Sequence, residues 1–200
     1  MSRSLHGLCL ALALLSLGTG SPLADQVQDQ RVSWDSSGWP IGDLALVDHR
    51  GASFDNDNLR GRWTLLAIAD SHCGDPCSGT VAALAGLLRR IAGAKVIETT
   101  QAVLVSLRAE DTGADLARLF PPQEPRLIGV TGPPESLAQL ADDLRIPYPP
   151  PDLRAVTPGG QGHAGSIWLI GPDGVIRAEL LPPFDVPLLT AAYLKLRLKG

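Results

Sequence analysis

Residues 63–69 read Trp-Thr-Leu-Leu-Ala-Ile-Ala, and a cysteine-bearing turn and a helical pattern follow without a break. A near-continuous apolar run of this length fits a strand buried on both faces, in a sheet covered by helices on each side. Residues 78–92 then set Val81, Leu84, Leu87, Leu88 and Ile91 on one side of a helix, with Gly93 as its stop. A central strand that feeds directly into an amphipathic helix commits the chain to an α/β fold.

The remaining segments extend that plan. Residues 44–58 read as a small hairpin turning at Asp48-His49-Arg50-Gly51, packed against the main sheet. Residues 102–107 and 126–130 are two further buried strands. Residues 111–120 form a short helix between them, stopped by Pro121-Pro122. Another helix spans 135–144, with proline ahead of its first turn. A Pro- and Gly-rich loop covers 146–162. Residues 166–170 and 175–181 flank Gly171-Pro172-Asp173-Gly174, a hairpin turn signal, and 186–198 close the chain as a helix. No repeat and no second domain is visible. The order hairpin, β-α-β-α-β-α, hairpin, helix predicts a three-layer α/β/α thioredoxin-like domain with an N-terminal β-hairpin extension.

Ahead of this domain, expected over residues 38–200, lie two other segments. Residues 1–24 have a basic start, an apolar run of about eleven residues and a small-residue exit, the parts of a secretory signal peptide. The run is shorter than the roughly twenty apolar residues a membrane span needs. Cleavage is expected after Gly20 or Ala24; an uncleaved leader would anchor the chain to a membrane. Residues 25–37 are polar and without period and read as a linker, with Trp34 and Trp39 tucking onto the domain surface. The whole chain carries a formal net charge of −4, and loss of Arg3, the one charge in the leader, takes it to −5. That balance argues against nucleic acid as a partner, since such affinity rests on Lys and Arg neutralising phosphates. A monomer is the default.

Of three cysteines, Cys9 leaves with the leader, so the exported chain keeps Cys73 and Cys77. Two cysteines four positions apart are no disulfide framework, and a bridge between them would close only a tiny loop. The pair is therefore read as reactive rather than structural. The positive end of a helix dipole favours the thiolate, the species that attacks disulfides and binds metals. Three residues, Gly74, Asp75 and Pro76, separate the thiols, one more than the usual oxidoreductase spacing. The wider loop lets both sulfurs converge on one ion while still allowing a disulfide. The pair is a redox couple, a metal clip, or both.

His163, 86 residues after Cys77 and set among glycines, tips the choice towards metal. Two thiolates and an imidazole make a soft three-coordinate site that suits Cu(I). On spacing alone His163 is equally well an ordinary loop histidine. His72, the nearest competing ligand, points away from its neighbour Cys73 on extended chain and reads as a supporting or packing residue; His49 sits in a polar turn and reads as surface. No serine has a credible base, and no Thr and Arg are arranged around Cys73 as a thiol peroxidase requires.

The chain over residues 38–198 resembles the Sco/SenC family. The segments that carry the likeness are IGDLALVDHRG, LRGRWTLLAIADSHCGDPC, AVLVSLRAEDT, LIGVTGPPESLAQLADDLRIPY and GHAGSIWLIGPDGVI. The resemblance implies Cys73, Cys77 and His163 as ligands of Cu(I) or Cu(II). It also implies a metallochaperone that delivers copper to, or maintains the redox state of, the dinuclear copper site of cytochrome c oxidase. The partner is then the copper-accepting oxidase subunit or another copper chaperone, and the location is periplasmic or otherwise extracytoplasmic. The alternative is a thiol-disulfide oxidoreductase acting through Cys73 and Cys77 as its catalytic pair on exported clients. The chain departs from the family pattern in four places. Ser78 replaces a proline, Arg108-Ala109 stands where the family has Asp-Pro, Gly162 precedes His163 in place of Asp, and Ala69-Asp70-Ser71 replaces an aromatic or Thr.

Overall fold

The computed structural model describes residues 31–120, 124, 126–149 and 165–199. The expected leader, the start of the linker and the glycine-flanked His163 lie outside the described residues. Strands β1 (Val32–Pro40), β2 (Leu46–Asp48), β3 (Ser53–Phe54), β4 (Trp63–Ile68), β5 (Thr100–Val105), β6 (Leu127–Thr131), β7 (Ile167–Ile170) and β8 (Val175–Leu180) form one sheet. Helices α1 (Asp75–Ile91), α2 (Gly113–Ala117), α3 (Pro134–Asp143) and α4 (Val186–Arg197) complete the fold.

The strand order is β1-β8-β7-β4-β5-β6-β2-β3. Strands β4, β5 and β6 run parallel, with α1 and α2 as crossovers, and every other pairing is antiparallel. All six positions of β4 and all six of β5 are buried. Protein therefore covers both sheet faces at the centre, which is the three-layer arrangement the apolar runs predict. The hairpin β2–β3 extends the sheet beyond β6, and the turn at 171–174 joins β7 to β8 with Gly171 N–H donating to Val175 at 2.8 Å.

The helix α1 buries Val81, Leu84, Leu87, Leu88 and Ile91, the face its spacing marks. Full burial of a leucine-sized side chain contributes about 1.5–3 kcal/mol, so this face anchors the helix far more strongly than its end contacts do. The approach of α1 to α4 is close: a Cβ on Gly86 would lie 2.9 Å from Val186.

Three elements differ from the sequence reading. The polar stretch read as linker supplies β1, which pairs with the outer edge of β8. Its register shifts between Trp34 and Trp39, where Gly38 adopts φ +60° and a Cβ would meet the Ile176 carbonyl at 2.6 Å. Trp39 does pack on the domain: its indole N–H donates to Asp143 at 2.7 Å and Arg145 stacks over its ring at 4.0 Å. Helix α1 starts at Asp75, ahead of the expected 78, with Pro76 in its first turn. The next helix is shorter than 111–120 because Thr112 caps it, with reciprocal bonds to Asp115. Asp111 is thereby left outside the helix and turns elsewhere.

Candidate metal centre

Cys73 lies in the turn after β4, and Cys77 is the third residue of α1. Their sulfurs are joined as a disulfide across a Cα–Cα distance of 5.6 Å. The strand stops where the Asp70 carbonyl accepts from the Cys73 N–H at 3.1 Å, closing a tight turn. The helix then begins at Gly74, whose carbonyl accepts from the Cys77 N–H at 3.2 Å.

The two sulfurs differ in access. Cys77 is buried at 2% exposure, its Sγ 3.9 Å from the Ile68 carbonyl, while Cys73 is only partly buried. A disulfide sulfur carries no proton, so the Cys77 contact becomes a hydrogen bond only after reduction to the thiol. An incoming thiolate or metal donor meets Cys73 first.

Two buried carboxylates flank this turn. Asp70 accepts the His72 N–H at 2.8 Å. Asp111, from the β5–α2 connection, accepts the Ser71 N–H at 2.9 Å, the Ser71 hydroxyl at 2.5 Å and the Ser106 hydroxyl at 2.7 Å. A carboxylate only accepts, so the one Ser71 proton is directed at Asp111. The Ser71 oxygen then accepts from His72 Nδ1, 3.0 Å away. Sequence reasoning missed this network because it spans 40 positions; the only local hint was an acid next to the Thr112 cap.

His72 is exposed, in a turn rather than on extended chain, and its Nδ1 bonds the Ser71 hydroxyl, so it is not a packing residue. His49 departs from the surface reading: its Nδ1 accepts from the Gly129 N–H at 3.2 Å and its ring meets Phe120 edge-on at 5.0 Å. It splices the hairpin turn to β6. Among the described residues no group of three His, Cys, Asp or Glu side chains is placed to hold a metal ion. Among those residues the cysteines bring two sulfurs to one point. No helix among those residues is long and apolar enough to cross a membrane.

A parallel-centred sheet with a Cys-x-x-x-Cys disulfide at a strand-to-helix junction defines a thioredoxin-like protein with soft-donor chemistry. The family model described as SCO1/SenC matches residues 40–192, and the chain belongs to that family. A putative copper-binding protein of Stutzerimonas stutzeri is 31% identical over 190 residues, 93% of this chain and 90% of that one. The mitochondrial SCO2 homolog of Bos taurus is 31% identical over 135 residues, 67% of this chain and 51% of its own length. The chain therefore spans about half the length of that relative. Among solved structures, Arabidopsis thaliana ScoI with copper bound superposes with a TM-score of 0.66 at 23% identity, covering 80% of this chain and 98% of the other. Bradyrhizobium japonicum ScoI with copper bound gives 0.59 at 25% identity, covering 78% and 98%.

Proposed function

We propose that this chain is an exported copper carrier that takes up one copper ion as cargo through Cys73, Cys77 and His163. It passes the ion to the copper-accepting subunit of cytochrome c oxidase or to another copper chaperone. The observation that carries the reading is the convergence of the two sulfurs at the head of α1, 5.6 Å apart at Cα. Reduction of that bond turns one contact point into two thiolate donors, the ligands Cu(I) prefers. Oxidation removes both donors at once, so redox state and metal occupancy are coupled.

His163 enters the reading through the resemblance to the family, in which the histidine ahead of the SIWLI strand is a copper ligand. The copper-binding relative and the copper-bound structures support the choice of metal. The partly buried Cys73 is where an acceptor's thiolate would enter to draw the ion across. Residues 1–24 would direct export to the periplasm or an equivalent compartment, and the chain would act there as a monomer, membrane-associated if the leader stays.

The test is transfer. Copper-loaded protein mixed with the apo copper-accepting domain of an oxidase subunit should load that domain, and Cys73→Ser should abolish loading. Retention of copper on the donor would contradict the carrier reading. Capture of a client by the Cys77→Ser variant as a mixed disulfide, without copper transfer, would turn the assignment to a thiol-disulfide oxidoreductase.

A further inference from the structure

Asp111 is 6% exposed, and none of the ion pairs among the described residues involves it. Burying a carboxylate costs several kcal/mol unless its oxygens are satisfied. Here they are satisfied by the N–H and hydroxyl of Ser71 and by the hydroxyl of the fully buried Ser106. Two of the three donors thus belong to the residue two positions ahead of Cys73. Ser106 is itself fixed, accepting the Arg108 N–H at 3.1 Å. The carboxylate is a brace from the β5 end to the cysteine turn, and nothing local to the turn requires it.

The brace acts on the half of the pair that α1 does not hold. Cys77 is held by α1 and by burial at 2% exposure, so its sulfur position is set by the helix. Cys73 sits on a turn, and whether its sulfur stays over Cys77 depends on what holds that turn.

We propose that Asp111 is a positioning residue for Cys73, keeping the first sulfur over the second in the reduced as well as the oxidised chain. The proposal rests on the reading of Cys73 and Cys77 as a reactive pair. Fixing the turn raises the effective concentration of one sulfur at the other. It favours closure of the disulfide, and it favours two-sulfur binding of Cu(I) for the same geometric reason.

The experiment is equilibration of the full chain with glutathione. Each disulfide takes two electrons and two protons from two glutathione thiols, giving the dithiol and one glutathione disulfide. The equilibrium constant is read by thiol trapping, and Cu(I) affinity is read in parallel by competition with a chromophoric chelator. Asp111→Ala is expected to shift the equilibrium towards dithiol about tenfold, ~30 mV for a two-electron couple, and to weaken Cu(I) binding by a similar factor. Asp111→Asn keeps an acceptor for the Ser71 N–H and Ser106, and should restore most of both. Ser71→Ala, which leaves the Ser106 bond in place and does not depend on Asp111→Ala folding, should shift the equilibrium in the same direction by a smaller factor.

Wild-type values in Asp111→Ala or in Ser71→Ala would overturn the proposal. An Asp111→Asn variant as impaired as Asp111→Ala would also overturn it, because charge rather than position would then be at work. If the wild-type chain itself forms no reversible disulfide, the reading of the pair fails first; a normal wild type with unaffected variants defeats the brace alone.

Discussion

The hydroxyl of Thr80 donates to the carbonyl of Gly165 at 3.1 Å, tying the start of β7 to the helix that carries Cys77. Both residues are buried, and Gly165 holds φ +82° with its Cα close enough that a Cβ would lie 3.3 Å from Thr80 Oγ1. Thr80→Val keeps the shape and removes the donor, leaving a buried carbonyl short of a partner. The expected loss is about 1–3 kcal/mol in urea unfolding, with Thr80→Ser losing less. Equal stability of Thr80→Val and wild type would show that the bond contributes nothing.

Reduction of the disulfide should destabilise the chain only modestly. The cysteines are four positions apart, so the bridge closes one of the smallest loops a chain can form. The chain-entropy relation gives about 2 kcal/mol for such a loop, against more than 4 kcal/mol for a loop of about 100 residues. Urea unfolding of the oxidised and reduced forms measures the difference. A loss of 5 kcal/mol or more would make the bond a structural staple and remove the argument that it is reactive.

Alkaline pH should destabilise the fold through Tyr193. Burial raises the pKa of its hydroxyl above the ordinary value, partly offset by hydrogen bonds with Thr100 and Arg197 and by the Arg197 charge. The folded chain then holds the phenol proton more tightly than the unfolded chain does. That contribution to stability is complete below the unfolded value, about 10, and is lost as pH rises through the higher folded value. The hydroxyl lies 2.5 Å from Thr100 Oγ1 and accepts from Arg197 at 2.7 Å, so Tyr193→Phe should also cost about 1–2 kcal/mol at neutral pH. Stability measured from pH 8 to pH 11 should fall more steeply for wild type than for Tyr193→Phe; parallel curves would remove Tyr193 as the cause.

Much of the fold was legible because its signals are local. Residues 63–69 and the face of α1 carry their burial in consecutive or periodic side chains, and Asp173-Gly174 carries its turn in two. Strand β1 was not legible: Val32–Pro40 has no alternating pattern, and its pairing is supplied by the free edge of β8. Asp111 was assigned to a helix because its neighbours suit one; its partners Ser71 and Ser106 were invisible without the crossover that brings β4 and β5 side by side. The candidate site divides the same way. The cysteine pair shows itself in spacing and position, whereas a ligand role for His163 rests on likeness to a family, since the residue is outside those described.

The most direct test is anaerobic Cu(I) titration of the reduced chain against a competing chelator, with Cys73→Ala and His163→Ala alongside. The account predicts one tightly held equivalent, abolished in Cys73→Ala and weakened in His163→Ala, with Cu(II) binding weakened further by the histidine change. No copper uptake, or an affinity indifferent to His163, would contradict the three-ligand carrier and leave a dithiol whose histidine plays no part.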